Sequence, residues 1–218
     1  MFLEKSAKIG PIIVEGKRLI SLQKVSRGQI LKGLNIAKDD LVLEVGSGDN
    51  PVPRSDVLSD KFLGYTPDRE GREIYIDRRP FIVCDAHKLP FKDKSFDYII
   101  ARQVLEYIDD PDKFLHELIR VGKRGYIEVA NGLREVLYDW DARNYVVSMD
   151  NQGKLIIRRK LDKGPFGDLF RKLKDPYLGK FINDNWALFN YMLEWDGEIN
   201  YVVDETGKEV WQGLRFML

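Results

Sequence analysis

Glu44, Gly46, Ser47, Gly48 and Asp49 follow directly on the apolar run Leu41-Val42-Leu43, so acids and glycines gather where a buried strand breaks into a turn. Glycine lets the backbone take positive φ and approach a bound molecule closely. The flanking carboxylates suit a cationic centre with an amino-acid tail better than a phosphate. The third glycine of the dinucleotide fingerprint is missing, and no Gly-Lys-Ser/Thr follows, so neither a dinucleotide loop nor a phosphate loop is complete. Asp60 closes a second run, Asp56–Asp60, at a place where a carboxylate accepts from both hydroxyls of a ribose. Asp56 competes for that role but precedes the apolar residues. Asp85 closes a third run, Phe81–Cys84, with small Ala86 behind it. Asp85 can accept from an exocyclic amine while the Ala86 N–H donates to a ring nitrogen, which reads the edge of an adenine.

These residues need strands to carry them. The apolar segments Leu41–Val45, Asp56–Asp60, Phe81–Cys84, Phe96–Ala101 and Gly125–Val129 read as strands of a mostly parallel sheet, buried on both faces. Pro111-Asp112 opens a helix whose stripe is Phe114, Leu115, Leu118 and Ile119, and Gly122 ends it. The first crossover is short. Asn50-Pro51-Val52-Pro53 fills the place where such folds put a helix, and its prolines oppose one. Beyond residue 131, Tyr145–Met149 and Lys154–Arg158 flank Asp150-Asn151-Gln152-Gly153, a hairpin signal. An amphipathic segment follows over 168–174.

The expected architecture is therefore α/β: a Rossmann-like, mostly parallel sheet with helices on both faces, a shortened first crossover and a C-terminal β-hairpin/helix extension. The chain divides into an N-terminal helical flank over 1–38, a cofactor-binding core over 39–131 and an extension over 132–218. That extension completes the sheet and covers the acceptor pocket, within one compact domain. In the flank, Leu19, Leu22, Val25, Ile30, Leu31 and Leu34 recur at helical spacing.

Composition narrows the partners. The 218 residues hold 35 Lys+Arg against 35 Asp+Glu, so no global charge calls for nucleic acid or an anionic membrane. No apolar run approaches the roughly 20 residues of a membrane helix, and no signal-peptide pattern opens the chain. The reading is a soluble, cytoplasmic protein. Its 32% charged content would suit a thermophile. One cysteine and two histidines leave no metal site to propose. Cys84 reads as core, His87 as the outside of the adenine loop, His116 as solvent-facing and Asp97 as a turn residue. The basic stretch 158–174 reads as a solvated face. The C-terminal aromatics Trp186, Phe189, Tyr191, Trp195, Tyr201 and Trp211 line an acceptor pocket or form the core of an added subdomain.

The run Asp85-Ala86-His87-Lys88-Leu89-Pro90-Phe91, leading to Ser95-Phe96-Asp97-Tyr98, together with Glu44-x-Gly46-x-Gly48 resembles the class I S-adenosylmethionine-dependent methyltransferases of the compact methyltransferase-domain group. The resemblance covers roughly residues 41–131. It implies S-adenosylmethionine as cofactor, with Glu44, Gly46, Ser47, Gly48 and Asp49 around its methionine end, Asp60 on the ribose and Asp85 with Ala86 on the adenine. It also implies that Arg102–Tyr107 faces the transferred methyl, which makes Arg102 and Gln103 the acceptor-side candidates. Many relatives carry histidine where this chain has Tyr107. The expected activity is methyl transfer to an acceptor, a small molecule first and a macromolecule second. A sulfonium methyl is already activated, so alignment and a dry pocket supply most of the acceleration. The competing readings are a cofactor-binding module that no longer transfers and an NAD-type oxidoreductase.

Overall fold

The computed structural model of this chain describes residues 13–14, 17–18, 26–66, 69, 71–173, 176–208 and 210–211. A short antiparallel pair, β1 (Ile13–Val14) with β2 (Lys17–Arg18), precedes α1 (Arg27–Lys32). Ser26 starts α1 with a reciprocal cap: its Oγ accepts from the Gln29 N–H, and the Gln29 side chain accepts from the Ser26 N–H. The helical spacing read at Leu19, Leu22 and Val25 lies outside the described residues.

The parallel strands are β3 (Val42–Val45), β4 (Val57–Asp60), β5 (Phe81–Val83), β6 (Phe96–Arg102) and β7 (Gly122–Ala130), in the order β5-β4-β3-β6-β7. All four residues of β3 are buried, because the sheet is covered on both sides. Side chains alternate between two cores. Leu43, Ile99 and Ile127 point to one face, which α2 (Pro111–Val121) covers with Phe114, Leu115, Leu118 and Val121. Ile119, expected in that stripe, packs at its edge. Val42, Tyr98, Ile100 and Tyr126 point to the other face, under Ile30 of α1, Val52 of the first crossover and Trp186. Helices lie on both faces of the Rossmann-like sheet.

Asp110 caps α2 by accepting from the Lys113 N–H at 3.0 Å, with Pro111 in the first turn. Among the described residues, α2 is the only α-helix joining two successive parallel strands, with a 3-10 turn at Leu105–Tyr107 before it. Residues 46–56, between β3 and β4, contain no helix.

The chain then runs through α3 (Gly132–Tyr138), the antiparallel hairpin β8 (Tyr145–Met149) and β9 (Leu155–Arg159), α4 (Leu169–Leu173), α5 (Pro176–Asp184) and α6 (Trp186–Phe189). β10 (Asn190–Asp196) returns to the central sheet, antiparallel to β7 from Asn190↔Ala130 to Asp196↔Arg124. β11 (Tyr201–Asp204) adds to the hairpin, parallel to β9. Tyr145, Val147, Leu155 and Ile157 of this small sheet share the core of α2. No helix among the described residues is long and apolar enough to cross a membrane.

Candidate cofactor site

The glycine turn hangs from the neighbouring strand. The Gly46 and Ser47 N–H groups both donate to the Ser59 carbonyl, at 2.8 and 3.0 Å, and the Gly48 N–H donates to Asp60 Oδ2 at 3.0 Å. Gly46 and Gly48 take left-handed φ values of +69° and +59°. They differ in what a side chain would meet. A Cβ on Gly46 would lie 2.4 Å from Val104 Cγ2, whereas one on Gly48 would enter open space. Gly46→Ala should therefore combine a left-handed penalty with a clash, a loss of about 2–4 kcal/mol in urea unfolding. Gly48→Ala should cost about 1–2 kcal/mol, from the backbone alone.

Behind the turn, one buried ion pair does the work of the missing helix. Glu44 is fully buried at 0% exposure. Its Oε2 accepts from the Val52 N–H and from Ser55 Oγ, both at 2.7 Å, and its Oε1 accepts from Arg102 Nε at 3.1 Å and Nη2 at 2.6 Å. Arg102 Nη2 also donates to the Asn50 carbonyl at 2.6 Å. From the other side Arg79 Nη1 donates to the carbonyls of Val52 and Ser55. A carboxylate and two guanidinium groups thus satisfy the backbone that a helix would have satisfied internally. Glu44 is sealed from solvent, so it acts on a ligand only through the loop it holds. Arg102, expected on the acceptor side, turns inward to Glu44 because a buried carboxylate is a far stronger partner than water. Asp49 pairs with Arg72, and with Asn50, Pro51, Tyr75 and Arg78 it borders a cavity of about 620 Å³ beside the loop.

Asp60 and Asp85 end adjacent strands, tied by a 3.1 Å bond from the Cys84 N–H to the Asp60 carbonyl. Asp60 Oδ1 accepts from the Phe62 N–H at 3.1 Å and faces Arg69 Nη1 at 3.9 Å, beyond hydrogen-bond distance, so each carboxylate oxygen holds one N–H and keeps a lone pair free. Asp85 Oδ1 accepts from the His87 N–H at 2.9 Å and lies 2.6 Å from His87 Nδ1, while its Oδ2 takes Lys61 at 2.8 Å. Burial opposes ionisation of Asp85. The bonds from Lys61 and His87 overcome it and hold the carboxyl well below the usual range. Among the described residues the Ala86 N–H meets no acceptor. His87 is not outside the loop: its Nε2 accepts from the Asp110 N–H at 3.3 Å, which leaves the proton on Nδ1 facing Asp85. It braces the adenine-side acid against the start of α2. Asp56, the rival to Asp60, accepts from the Val42 N–H and from Arg54, a structural duty.

At the end of β6, Gln103 takes a left-handed φ of +55°, a strained position for a side-chain-bearing residue. Its side chain meets Asn190 and Arg134. Next to it, Tyr107 lies under Arg143, whose Nε donates to the tyrosine hydroxyl at 3.3 Å and whose Nη1 pairs with Glu135 at 2.6 Å. Glu106 is buried beside them, and desolvation raises its pKa. Cys84 is half-buried with its thiol pushed up by burial, and Asp97 accepts from the Leu41 N–H and Lys123. His116 is exposed. The basic stretch 158–174 is not a bare face: Lys160 pairs with Glu135 and Asp139, and Arg171 with Asp141 and Asp168. Lys61, Arg134 and Asn190 were missed from the sequence. Only Lys61, adjacent to Asp60, carried a local signal.

The residues present fit the implied cofactor: at its adenosine end Asp60 and Asp85 keep acceptor capacity and the Ala86 N–H is open, and by the glycine turn Ser47 Oγ is buried without a partner among the described residues. Residues 57–127 match the family of the methyltransferase domain, a third of the chain. Two curated proteins match shorter stretches. Norajmaline N-methyltransferase of Rauvolfia serpentina is 42% identical over 45 residues, 21% of this chain and 15% of that one. An uncharacterized protein of Methanocaldococcus jannaschii is 43% identical over 44 residues, 20% of this chain and 22% of that one. The chain thus spans less than a quarter of these relatives' length. Among solved structures, a chain of the Haloferax volcanii complex that contains the Trm112 methyltransferase activator covers 79% of this chain and 89% of that one, at 15% identity and a TM-score of 0.48. Over residues 57–127 the chain is thus similar to a methyltransferase domain. S-adenosylmethionine is the cofactor that this domain implies.

Proposed function

We propose that this protein transfers a methyl group from S-adenosylmethionine to a small-molecule acceptor. The observation that carries the reading is the pair Asp60 and Asp85, at the ends of adjacent parallel strands, with Asp60 holding the glycine turn and the Ala86 N–H open next to Asp85. When bound, S-adenosylmethionine supplies an activated sulfonium methyl. The chain's own part is to orient and to exclude water. Asp60 accepts the ribose hydroxyls, Asp85 accepts the exocyclic amine of adenine, and Ala86 donates to the ring. Gly48, with open space before it, lets the methionine end lie against the backbone, and Ser47 offers its unpartnered hydroxyl there. Glu44 and Arg102 hold the turn in place. Gln103, at the end of β6, stands on the acceptor side. The C-terminal extension encloses that side through Asn190 and Trp186.

Calorimetry of the full chain tests this. S-adenosylmethionine and its demethylated product should bind at micromolar concentrations and NAD should not. Asp85→Ala should weaken both adenosyl ligands about tenfold or more, as the loss of one charge-assisted hydrogen bond implies. Binding of NAD in place of the adenosyl ligands would overturn the assignment. Binding without turnover on any acceptor, small or macromolecular, would point to a carrier module instead.

A further inference from the structure

The arginines around the site are matched to carboxylates: Arg27 to Glu128, Arg69 to Asp60, Arg102 to Glu44 and Arg143 to Glu135. Arg134 differs. Among the described residues no carboxylate lies within ion-pair distance of it. Its Nη1 donates to two neutral oxygens, Gln103 Oε1 at 2.9 Å and Asn190 Oδ1 at 2.8 Å. Those amides are themselves fixed, since Gln103 Nε2 donates to Asn190 Oδ1 at 3.0 Å and Asn190 Nδ2 donates to the Trp186 carbonyl at 2.9 Å. The guanidinium carbon lies over the Trp186 ring, 4.9 Å from its centre, a cation–π contact that holds the fork on one side. One nitrogen is anchored, and Nε and Nη2 have no acceptor among the described residues. The Trp186 Nε1 donor, in the same assembly, is buried without an acceptor as well.

This is an arrangement of donors in surplus. Burial first, then the like charge of Arg143, bring the Arg134 pKa down to about 10. Glu106 is the acid whose field opposes them, but it is buried and faces Arg143 at 3.7 Å. A partly desolvated guanidinium held rigid by neutral amides lacks its counter-charge, and an oxyanion in the fork would supply it. Its position fits a ligand, because Gln103 directly follows the end of β6 and open α/β sheets bind ligands beyond the carboxyl ends of their strands. Arg134 is half-buried, so its free edge can be reached.

We propose that Arg134 receives an oxyanion of the methyl acceptor, a carboxylate or a phosphate, with Gln103 and Asn190 orienting the fork and Trp186 backing it. This rests on the methyl-transfer reading. The acceptor class is thereby an anionic small molecule.

Benzoate and phenyl phosphate, titrated into the full chain at constant ionic strength and followed by calorimetry, serve as probes for the two anions. At least one should bind saturably, and the tighter of the two identifies the group. Arg134→Gln should weaken it at least tenfold, whereas Lys92→Gln, at an exposed lysine before the start of β6, should leave it unchanged. Arg134→Lys keeps the charge and loses the fork. It should weaken binding severalfold, and it carries the test if the glutamine variant does not fold. Equal binding by wild type and both Arg134 variants, or no saturable binding of either probe, would overturn the proposal. S-adenosylmethionine binding is measured on the same samples and should be unchanged in the Arg134 variants. Its absence from the wild type, with anion binding intact, would overturn the methyl-transfer reading instead.

Discussion

Arg102→Ala is expected to lower the unfolding free energy by about 3–5 kcal/mol, the range for stripping one partner from a buried ion pair. The magnitude follows from what remains. Glu44 is sealed from water and would be left with only the Val52 N–H and the Ser55 hydroxyl as partners. The Asn50 carbonyl would lose its donor at the same time. Against a typical domain stability of about 5–15 kcal/mol, such a loss is a large share. Urea unfolding measures it directly. The double variant Glu44→Leu with Arg102→Leu separates charge from packing: apolar replacement of both partners removes the stranded charge, so it should be more stable than Arg102→Ala alone. It would still leave the Val52 N–H and the Asn50 carbonyl without their partners, and it should bind cofactor poorly even though folded. A single-variant loss below about 1 kcal/mol would mean that the pair is a surface-like contact and that the loop is held by Arg79.

That ion pair marks the boundary of what the sequence could disclose. The strands were legible because a parallel sheet covered on both faces writes itself as unbroken apolar runs, as in Val42–Val45 and Phe96–Ala101. The missing helix was legible as well, since prolines at 51 and 53 forbid it locally. Its replacement was not. Glu44 meets Arg102 only because β3 lies beside β6, and sheet order is a property of the whole chain. Read alone, an acid before a glycine turn looks like a ligand contact, and an arginine ending a strand looks like an acceptor contact. Folded, each is the other's partner. His87 teaches the same lesson at shorter range: its Nδ1 contact to Asp85 is local, but its Nε2 contact joins the cap of α2. Arg134 had no sequence signal at all, because its distinction is the absence of a carboxylate, and only the assembled site shows which charges lack partners.

The cofactor reading makes its sharpest demand at Asp60. Asp60→Ala should weaken S-adenosylmethionine about a hundredfold, through two losses that can be told apart. The first is direct, since each carboxylate oxygen holds a backbone N–H and has one lone pair for a ribose hydroxyl. Bonds to a charged acceptor are worth about 1.5–3 kcal/mol each before compensation by water. The second is indirect: without Oδ2 the Gly48 N–H loses its anchor and the glycine turn loosens. Asp60→Asn splits the two, because its amide oxygen can keep one backbone N–H while its NH2 presents donors where acceptors are needed. It should retain more fold stability than Asp60→Ala yet bind the cofactor almost as weakly. A ligand lacking the ribose 2′-hydroxyl should then lose affinity with the wild type and lose little more with either variant. If the deoxy ligand and S-adenosylmethionine bind the wild type equally, Asp60 holds the turn and not the ribose.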